Sequence, residues 1–438
     1  MKKKRLQLLF FAILTVVLAS PAWAGGLYLY EVGSADVGLA SAGFASRAQD
    51  ASTVFTNPAG MMRLEKPELD AGAQVIYLHT KFSPNDNTSA SNRIMPDGSG
   101  AANGNPSGFI PAGSLFYTNK LSDKFAFGIG VFGFFGLSAQ YEDNWVGRYY
   151  ATKVQLQALT LIPAVAYRLN DKISFGAGLN AMYGMLDTKM AVNNRTAPNL
   201  VPVEPGRPDG SMELKDNVWG YGGKFGILYE ISKGTRVGLT YLTKTRMDFS
   251  STPSLSNVTR PLLSAALSNI TIDMTVRAPQ QFILSGYHEL SDNLAVMADF
   301  GWENWEDFGN IDAGVYDQSG GSVTTTVNAH YQNTWHVALG AQYKLSDPWK
   351  LSFGGAYDSS MVDGANRTPT LPVGAMWRFA GGAQYAMSQT MTLTGAYEYI
   401  WTGNMAMDVN RGPLAGRVAG EYTNACLQVL TLALNWKF

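Results

Sequence analysis

Residues 427–438, at the C-terminus, read LQVLTLALNWKF and alternate between two kinds of side chain. Bulky apolar residues occupy every second position, namely Leu430, Leu432, Leu434, Trp436 and Phe438. Small or polar residues lie between them. Because successive side chains of a β-strand point to opposite faces, this period of two predicts a strand with one continuous apolar face. The chain ends on an aromatic residue, which is typical of outer-membrane barrels.

The same alternation recurs along the chain, for example in residues 172–181 and 336–345. The second face carries mostly small or polar residues, which suits the lumen of a barrel because bulky residues would fill it. A soluble β-sandwich with one wet face would also alternate. The long apolar face and the Tyr, Trp and Phe residues near strand ends favour a transmembrane barrel.

The composition agrees with a membrane barrel. Charged residues make up 15% of the 438 residues, below the usual quarter, while hydrophobic residues make up 46%. After residue 24 there is no apolar run of about 18 residues, so the sequence predicts no spanning helix. A chain that is apolar at every second residue gives these averages.

Turn signals give the number of strands. Six tight polar connections alternate with seven longer ones that are rich in Gly, Asn, Pro and Ser. The tight connections are 119–124, 169–172, 231–234, 290–293, 346–349 and 387–390; the long ones lie near 83–108, 141–150, 191–216, 251–271, 307–331, 360–374 and 407–417. This pattern predicts an all-β fold, a 14-stranded antiparallel transmembrane β-barrel, with short periplasmic turns, long extracellular loops and both termini in the periplasm.

The N-terminus predicts export. Residues 2–5 are basic, an apolar segment follows, and Ala22-Trp23-Ala24 provides a small-x-small cleavage site, so residues 1–24 are interpreted as a signal peptide. A membrane anchor is the alternative, but the apolar run is short for one. Without these residues the chain carries 29 basic and 34 acidic residues, which argues against nucleic-acid binding. The one cysteine, Cys426, excludes an internal disulfide.

Residues 25–67 do not fit the strand pattern. They are rich in Ala, Gly and Ser, and Asp50 could cap a short helix over residues 51–55 that ends at Asn57-Pro58. This segment is too long for a lead-in to a strand. We therefore predict a small N-terminal hatch over residues 25–67 that plugs a barrel formed by residues 68–438. Inside that barrel, Pro163 predicts a bulge or an edge-like defect in its strand.

Several segments, taken in order, resemble one family, the OmpP1/FadL/TodX outer-membrane transporters of long-chain fatty acids and aromatic hydrocarbons. In the hatch these are Glu31, Gly38, Gly43 and residues 49–60 with Asn57-Pro58-Ala59; in the barrel they are residues 145–149, 166–171, 175–178, 356–358 and 367–369. The resemblance covers essentially all of the chain after residue 24. It implies a hatch-plugged 14-stranded barrel in the outer membrane of a Gram-negative bacterium. It also implies passive uptake of hydrophobic molecules, released sideways into the bilayer.

The resemblance also implies site residues. Leu27 and Tyr28 match a segment that reaches the ligand pocket, and Asn57, Pro58 and Ala59 match the hatch motif, interpreted as a gate. Gly133, Phe134, Phe135 and Gly136 match a strand that kinks inward at a lateral opening. Simpler interpretations stay open: a disordered N-terminus, a helix stop at the proline and an ordinary glycine-rich strand.

We expect no catalytic residues, no metal and no cofactor, because the chain lacks the common hydrolase, metalloprotease and phosphate-loop motifs and its four histidines are scattered. Arg148 could bind a carboxylate, but a solvated loop charge or a lipopolysaccharide contact is the favoured interpretation. The expected partners are a hydrophobic small molecule, outer-membrane lipid and lipopolysaccharide, with a monomeric chain. An aromatic-hydrocarbon transporter, a structural or adhesive surface barrel and a barrel hydrolase are the alternatives.

Overall fold

Fourteen antiparallel strands form one closed sheet in the computed structural model, which describes residues 27–195, 206–317 and 320–438. The strands of the described chain are β1 (Glu68–Pro84), β2 (Gly108–Lys120), β3 (Phe125–Gln140), β4 (Lys153–Arg168), β5 (Ile173–Val192), β6 (Gly210–Ser232), β7 (Thr235–Leu242), β8 (Thr245–Ser251), β9 (Ser254–Ser256), β10 (Ile270–Ala278), β11 (Gln281–Ser291), β12 (Leu294–Glu303), β13 (Asn310–Asp317), β14 (Ser322–Asn328), β15 (Thr334–Lys344), β16 (Trp349–Asp358), β17 (Met376–Ala386), β18 (Met391–Asn410) and β19 (Arg417–Lys437). The predicted signal peptide, residues 1–24, lies outside the described residues.

The barrel wall runs from β1 through β7, then β11, β12 and β15 to β19, and closes where β1 pairs with β19 from Glu68–Lys437 to Pro84–Gly420. The prediction of a closed 14-stranded antiparallel barrel is confirmed. The six tight turns join strands as predicted. The ladder between β4 and β5 skips Ile162 and Pro163 and resumes in the same register, so the proline leaves a gap in hydrogen bonding rather than a bulge.

The alternation of residues 427–438 corresponds to the two faces of β19. Leu430, Leu432 and Trp436 are exposed on the outside of the wall, whereas Thr431 and Ala433 are buried on the inside. Exposed Phe, Trp, Tyr and Leu side chains surround the barrel in the same way on the other strands. Large apolar side chains on the outer face are stable only against lipid, so this surface is the membrane-facing belt.

Two predicted loops contain regular structure. β9 and a short helix lie in the 251–271 region, which β8 and β10 flank, and β13 and β14 lie in the 307–331 region. Strands β8, β10, β13 and β14 form a second four-stranded sheet in the order β14-β13-β10-β8. Its apolar face, with Ile270, Ile272 and Val315, packs on Met190 and Met212 of the barrel strands. The loop prediction was wrong at 310–317 and 322–328, where the strands extend beyond the membrane-facing belt.

The described helices are short. They are α1 (Ser34–Val37), α2 (Thr53–Thr56), a 3₁₀ helix (Pro58–Arg63), α3 (Ala90–Arg93), α4 (Pro261–Ser268), α5 (Trp305–Gly309) and α6 (Gly412–Ala415). Within the described ranges, no helix has both the length and the apolar character needed to cross a membrane.

Candidate functional site

Residues 27–64 lie inside the barrel and are almost entirely buried. Their backbone fits against glycines on the inner face of the wall. A Cβ atom at Gly238 would lie 1.9 Å from the Ala45 carbonyl oxygen, and one at Gly354 would lie 1.9 Å from the Leu39 carbonyl oxygen. Only glycine leaves room for such close backbone approach, so the N-terminal segment packs directly against the inward-facing glycines of these strands.

Asn57, Pro58 and Ala59 are held against β5 and β6. The Asn57 side-chain amide donates to the carbonyl oxygens of Ala45 at 2.7 Å and Ile227 at 3.0 Å, and its oxygen accepts from the Ala59 N–H at 3.1 Å. The motif therefore ends α2 as predicted and also caps the following 3₁₀ helix, with Pro58 at its first position. The predicted helix over residues 51–55 is shorter, and begins at Thr53.

Charged side chains also hold residues 27–64 in place inside the barrel. Arg47 pairs with Asp36 at 2.8 Å within the hatch, and both side chains are buried. From β7, Arg236 donates to the carbonyl oxygens of Ser46 at 2.6 Å and Arg47 at 2.5 Å. Burial raises the pKa of Asp36 to about 6, although Arg47 opposes the shift. From β12, the Asp299 carboxylate accepts the backbone N–H groups of Gly43 and Phe44 at 2.8 and 2.9 Å.

The first described residues pair with a kink in β3. Leu29 donates its N–H to the Phe134 carbonyl at 2.7 Å, and Gly136 donates to the Leu27 carbonyl at 2.9 Å. The β3–β4 ladder shifts register between Gly133 and Phe135. Gly136 has φ +145, and a Cβ there would lie 2.6 Å from both the Cα of Gln157 and the carbonyl oxygen of Leu156. The kink consequently depends on glycine at position 136.

The kink leaves a gap in the barrel wall. The β2–β3 ladder runs from Lys120–Ala126 only as far as Ser114–Phe132. Beyond it β2 continues through residues 108–113 paired with β1 alone, and β3 continues along β4 alone. Because an unpaired strand edge inside a membrane exposes backbone N–H and C=O groups, such a gap is tolerated only where it lines a cavity or is covered by protein.

A cavity of about 420 Å³ fills this gap. Its inner part is lined by buried apolar side chains of β1, β18 and β19, including Ile76, Leu78 and Val429. Its outer part reaches Leu159, which is 47% exposed on the outer face of the wall. Tyr28 lines the cavity and stacks on Phe134 with ring centroids 5.1 Å apart. The cavity thus connects the barrel interior with the lipid-facing surface.

A buried ionic cluster borders the cavity. Arg378, which lines the cavity, pairs with Glu31 of the hatch, with Asp358 at 2.6 Å and with Glu398 at 3.5 Å. His336 also contacts Asp358, at 2.7 Å. These groups hold Glu31, and with it the segment that carries Tyr28, against the wall. The Nε and Nη1 atoms of Arg378 are therefore paired with carboxylates of the chain itself.

Lys224, on the inner face of β6, is a second buried cation, although it does not itself line the cavity. It is fully buried, and among the described residues its Nζ has no hydrogen-bond partner. The Nζ lies 4.6 Å from the ring centroid of Phe55, whose ring packs on Phe134 at 4.7 Å. On the neighbouring strand, Asn180 also has a side-chain oxygen without a partner. A buried ammonium that lacks a partner is costly unless an anion or a polar ligand can approach it.

The predicted site residues fall into two places. Leu27, Tyr28 and the 133–136 segment come together at the gap, whereas Asn57, Pro58 and Ala59 pack on β5 and β6 and do not line the cavity. Their roles in gating stay predictions. Neither Lys224 nor Arg378 was predicted. Lys224 could have been found as a lone charge among small inward-facing residues of a glycine-rich strand.

The interpretation of Arg148 as a solvated loop charge is wrong. The side chain is buried, pairs with Asp209 at 2.9 Å and donates to the carbonyl oxygens of Asn92 and Ile94 at 3.0 and 3.2 Å. It ties the extracellular loops together. Its charge is neutralised there, and it does not line the cavity.

The family model described as outer membrane protein transport protein (OMPP1/FadL/TodX) matches residues 15–438. Outer membrane protein P1 of Haemophilus influenzae is 28% identical over 429 residues, covering 91% of this chain and 90% of that protein. The long-chain fatty acid transport protein of Salmonella typhi is 27% identical over 420 residues, covering 92% and 93%.

Solved structures share the fold. A FadL homologue of Pseudomonas aeruginosa has a TM-score of 0.82 at 20% identity, covering 94% of this chain and all of that one. The toluene transporter TbuX of Ralstonia pickettii has a TM-score of 0.66 at 18% identity, covering 94% of this chain and 100% of that one. At these identities the likeness concerns architecture alone.

With a family match over nearly the whole sequence, a closed barrel and a lipid-facing outer surface, the chain belongs to the OMPP1/FadL/TodX family of outer-membrane transport proteins. It is a transporter for hydrophobic compounds in the outer membrane of a Gram-negative bacterium, and not an enzyme.

Proposed function

We propose that the protein takes up long-chain fatty acids passively and releases them sideways into the outer membrane through the gap between β2 and β3. The observation that carries this proposal is the cavity that crosses the wall between Ile76 on the inside and Leu159 on the outside. A volume of 420 Å³ with mostly apolar lining is within the range of small-molecule sites.

Lateral release is energetically favourable for such a ligand. An alkyl chain gains about 0.8 kcal/mol for each CH₂ that it buries in an apolar medium. The chain therefore moves from water to the cavity and from the cavity to lipid without an energy source. A ligand that leaves through the wall need not pass the residues 27–64 that block the lumen.

The fatty-acid class is favoured by Lys224. The buried ammonium could pair with one carboxylate. In this arrangement the alkyl chain would lie across Phe55 and Phe134 towards the cavity. Long-chain fatty acid transport proteins among the relatives agree with this class.

Aromatic hydrocarbons are the second candidate. Tyr28, Phe55, Phe132, Phe134 and Phe135 form an aromatic cluster, with ring centroids 4.6 to 5.7 Å apart for the contacting pairs. Such rings suit stacking with a flat ligand. A hydrocarbon has no carboxylate, so this candidate leaves Lys224 without a role.

We further propose the domain organisation and the role predicted from sequence: a hatch over residues 25–67, a barrel over residues 68–438, and Asn57-Pro58-Ala59 as a gate in the hatch. A barrel that closes on itself needs no second chain, so we propose a monomer surrounded by lipid.

The test is uptake of labelled oleate by cells that lack their own transporter, with and without this protein at confirmed surface abundance. Uptake that depends on the protein supports the proposal. Uptake of labelled toluene but not of oleate would replace it by the hydrocarbon candidate. A third outcome would favour an adhesive role: the barrel is inserted, neither ligand is taken up, and the cells attach to surfaces through the 191–216 loop.

A further inference from the structure

The second sheet carries a groove on its outward face, away from the barrel cavity. The groove has a volume of about 630 Å³ and lies across β8, β10, β13 and β14. Its polar lining includes Arg246, Asp248, Ser250, Asp273, Thr275, Asp312 and Tyr316. The opposite face of this sheet is the apolar one that packs on the barrel strands.

The groove alternates donors and acceptors at close spacing. Arg246 donates to Asp248 at 2.8 Å, and the Thr275 hydroxyl donates to the same carboxylate at 2.6 Å. The Ser250 hydroxyl donates to Asp273 at 2.6 Å. Arg246 and Asp248 are 61% and 57% exposed, so both keep free hydrogen-bonding capacity towards the groove.

One flat apolar surface lies among these polar groups. Tyr316 is 40% exposed, and its ring covers Gly314, where a Cβ would lie 2.7 Å from the ring carbon Cε2. An aromatic face beside carboxylate, guanidinium and hydroxyl groups matches a sugar ring, which has an apolar face and hydroxyls at its edge. The lining carboxylates outnumber the lining guanidinium, so the groove does not attract phosphate by charge.

The position of the groove indicates the source of the sugar. The outward faces of β7, β11 and β15 carry Tyr241, Phe282 and Trp335, which belong to the exposed apolar belt. Beyond residues 243–244, 279–280 and 329–333 these strands continue as β8, β10 and β14, and the outward face becomes polar. The groove therefore adjoins the layer of lipid headgroups directly above the membrane-facing belt.

We propose that this groove binds the saccharide headgroup of the glycolipid that forms the outer leaflet, with Tyr316 under a sugar ring and the Arg246–Asp248 pair on its hydroxyls. The contact anchors the extracellular extension of the barrel in the headgroup layer. It is independent of the transport site and of the ligand that the barrel carries.

The test measures binding of the detergent-solubilised full chain to three probes: lipopolysaccharide with a complete core saccharide, a truncated lipopolysaccharide that keeps its acyl chains and phosphates, and phosphatidylglycerol vesicles. We expect the complete glycolipid to bind roughly tenfold more tightly than the truncated one. This ratio corresponds to the net free energy of about two hydrogen bonds to the saccharide. Raising the salt concentration should change this preference little, because it does not rest on charge.

Tyr316→Ala and the double variant Arg246→Ala/Asp248→Ala should each abolish the preference. The matched control is Arg417→Ala/Asp408→Ala, which removes another exposed Arg–Asp pair, 42% exposed on each side chain and outside the groove. The control should keep the preference. Equal binding of complete and truncated glycolipid, equal loss in the control, or equally tight salt-sensitive binding to phosphatidylglycerol would each overturn the proposal.

Discussion

Substitution of Asn57 by alanine should loosen the hatch without loosening the barrel. The side chain donates to the Ala45 and Ile227 carbonyl oxygens and accepts from the Ala59 N–H. Alanine removes all three hydrogen bonds. Two of them lie within the hatch, and the third joins the hatch to β6. The wall keeps its own interstrand ladder on both sides of residue 227.

The expected loss follows from these contacts. A net contribution of about 1 kcal/mol for each hydrogen bond gives about 3 kcal/mol for the three. Since 1.4 kcal/mol corresponds to a factor of ten, the fraction of molecules in which the hatch is locally unfolded around Asn57 should rise roughly a hundredfold. Leaving a buried carbonyl without a donor would increase the effect.

Hydrogen exchange followed by mass spectrometry measures this fraction, because exchange of docked amides tracks the open population. Amides of residues 45–60 should exchange roughly a hundredfold faster in Asn57→Ala. Amides of β5 and β6 should not change. Asn269→Ala is the control, since it removes one exposed side-chain hydrogen bond in an extracellular loop. Unchanged exchange of residues 45–60, or equal acceleration in the barrel strands, would refute the role of Asn57.

Three further substitutions test the remaining contacts. Gly354→Ala should accelerate exchange around Leu39, because its Cβ would meet the Leu39 backbone, whereas Gly355→Ala has its nearest neighbour at 3.6 Å and should behave as wild type. Lys224→Met should weaken oleate binding roughly tenfold or more but leave oleyl alcohol binding unchanged, as loss of a charged hydrogen bond would; an equal loss for both would contradict a carboxylate site. Because the folded pKa of Asp36, about 6, lies above its ordinary 3.8, its contribution to hatch stability is fully present below about pH 4 and is lost as the pH rises to about 6. In Asp36→Asn, hydrogen exchange of the hatch amides, corrected for intrinsic exchange rates, should depend less on pH than in wild type. An unchanged pH dependence would contradict the role of Asp36.

The wall of the barrel could be predicted from sequence because a period of two and the turn residues are local signals. Residues 427–438 already contain both faces of β19. The extension beyond the membrane was missed in residues 322–328, SVTTTVN, because one face of that strand carries only Ser, Thr and Asn and the other only Val and Thr, so neither face has a bulky apolar residue. A strand outside lipid has no reason to keep a bulky apolar outer face, so the pattern resembles a loop.

The site was harder to predict because its contacts join distant parts of the chain. Glu31 and Arg378 are separated by 347 residues, and no local pattern relates them. The sequence indicated that Gly133 and Gly136 matter in β3, but only the structure shows which of them must be glycine. Gly136 requires its positive φ, whereas a Cβ at Gly133 would have its nearest neighbour 3.8 Å away. Arg148 looked like a loop charge because the loops that bury it are far apart in sequence.

The difference between these two glycines gives the most direct test of lateral release. The measurement is uptake of labelled oleate by cells that lack their own transporter and express wild type, Gly136→Ala or Gly133→Ala at equal surface abundance. Alanine at 136 cannot keep the kink that opens the wall, so the account predicts loss of most uptake in Gly136→Ala and near-normal uptake in Gly133→Ala. Wild-type uptake by Gly136→Ala would contradict release through this gap.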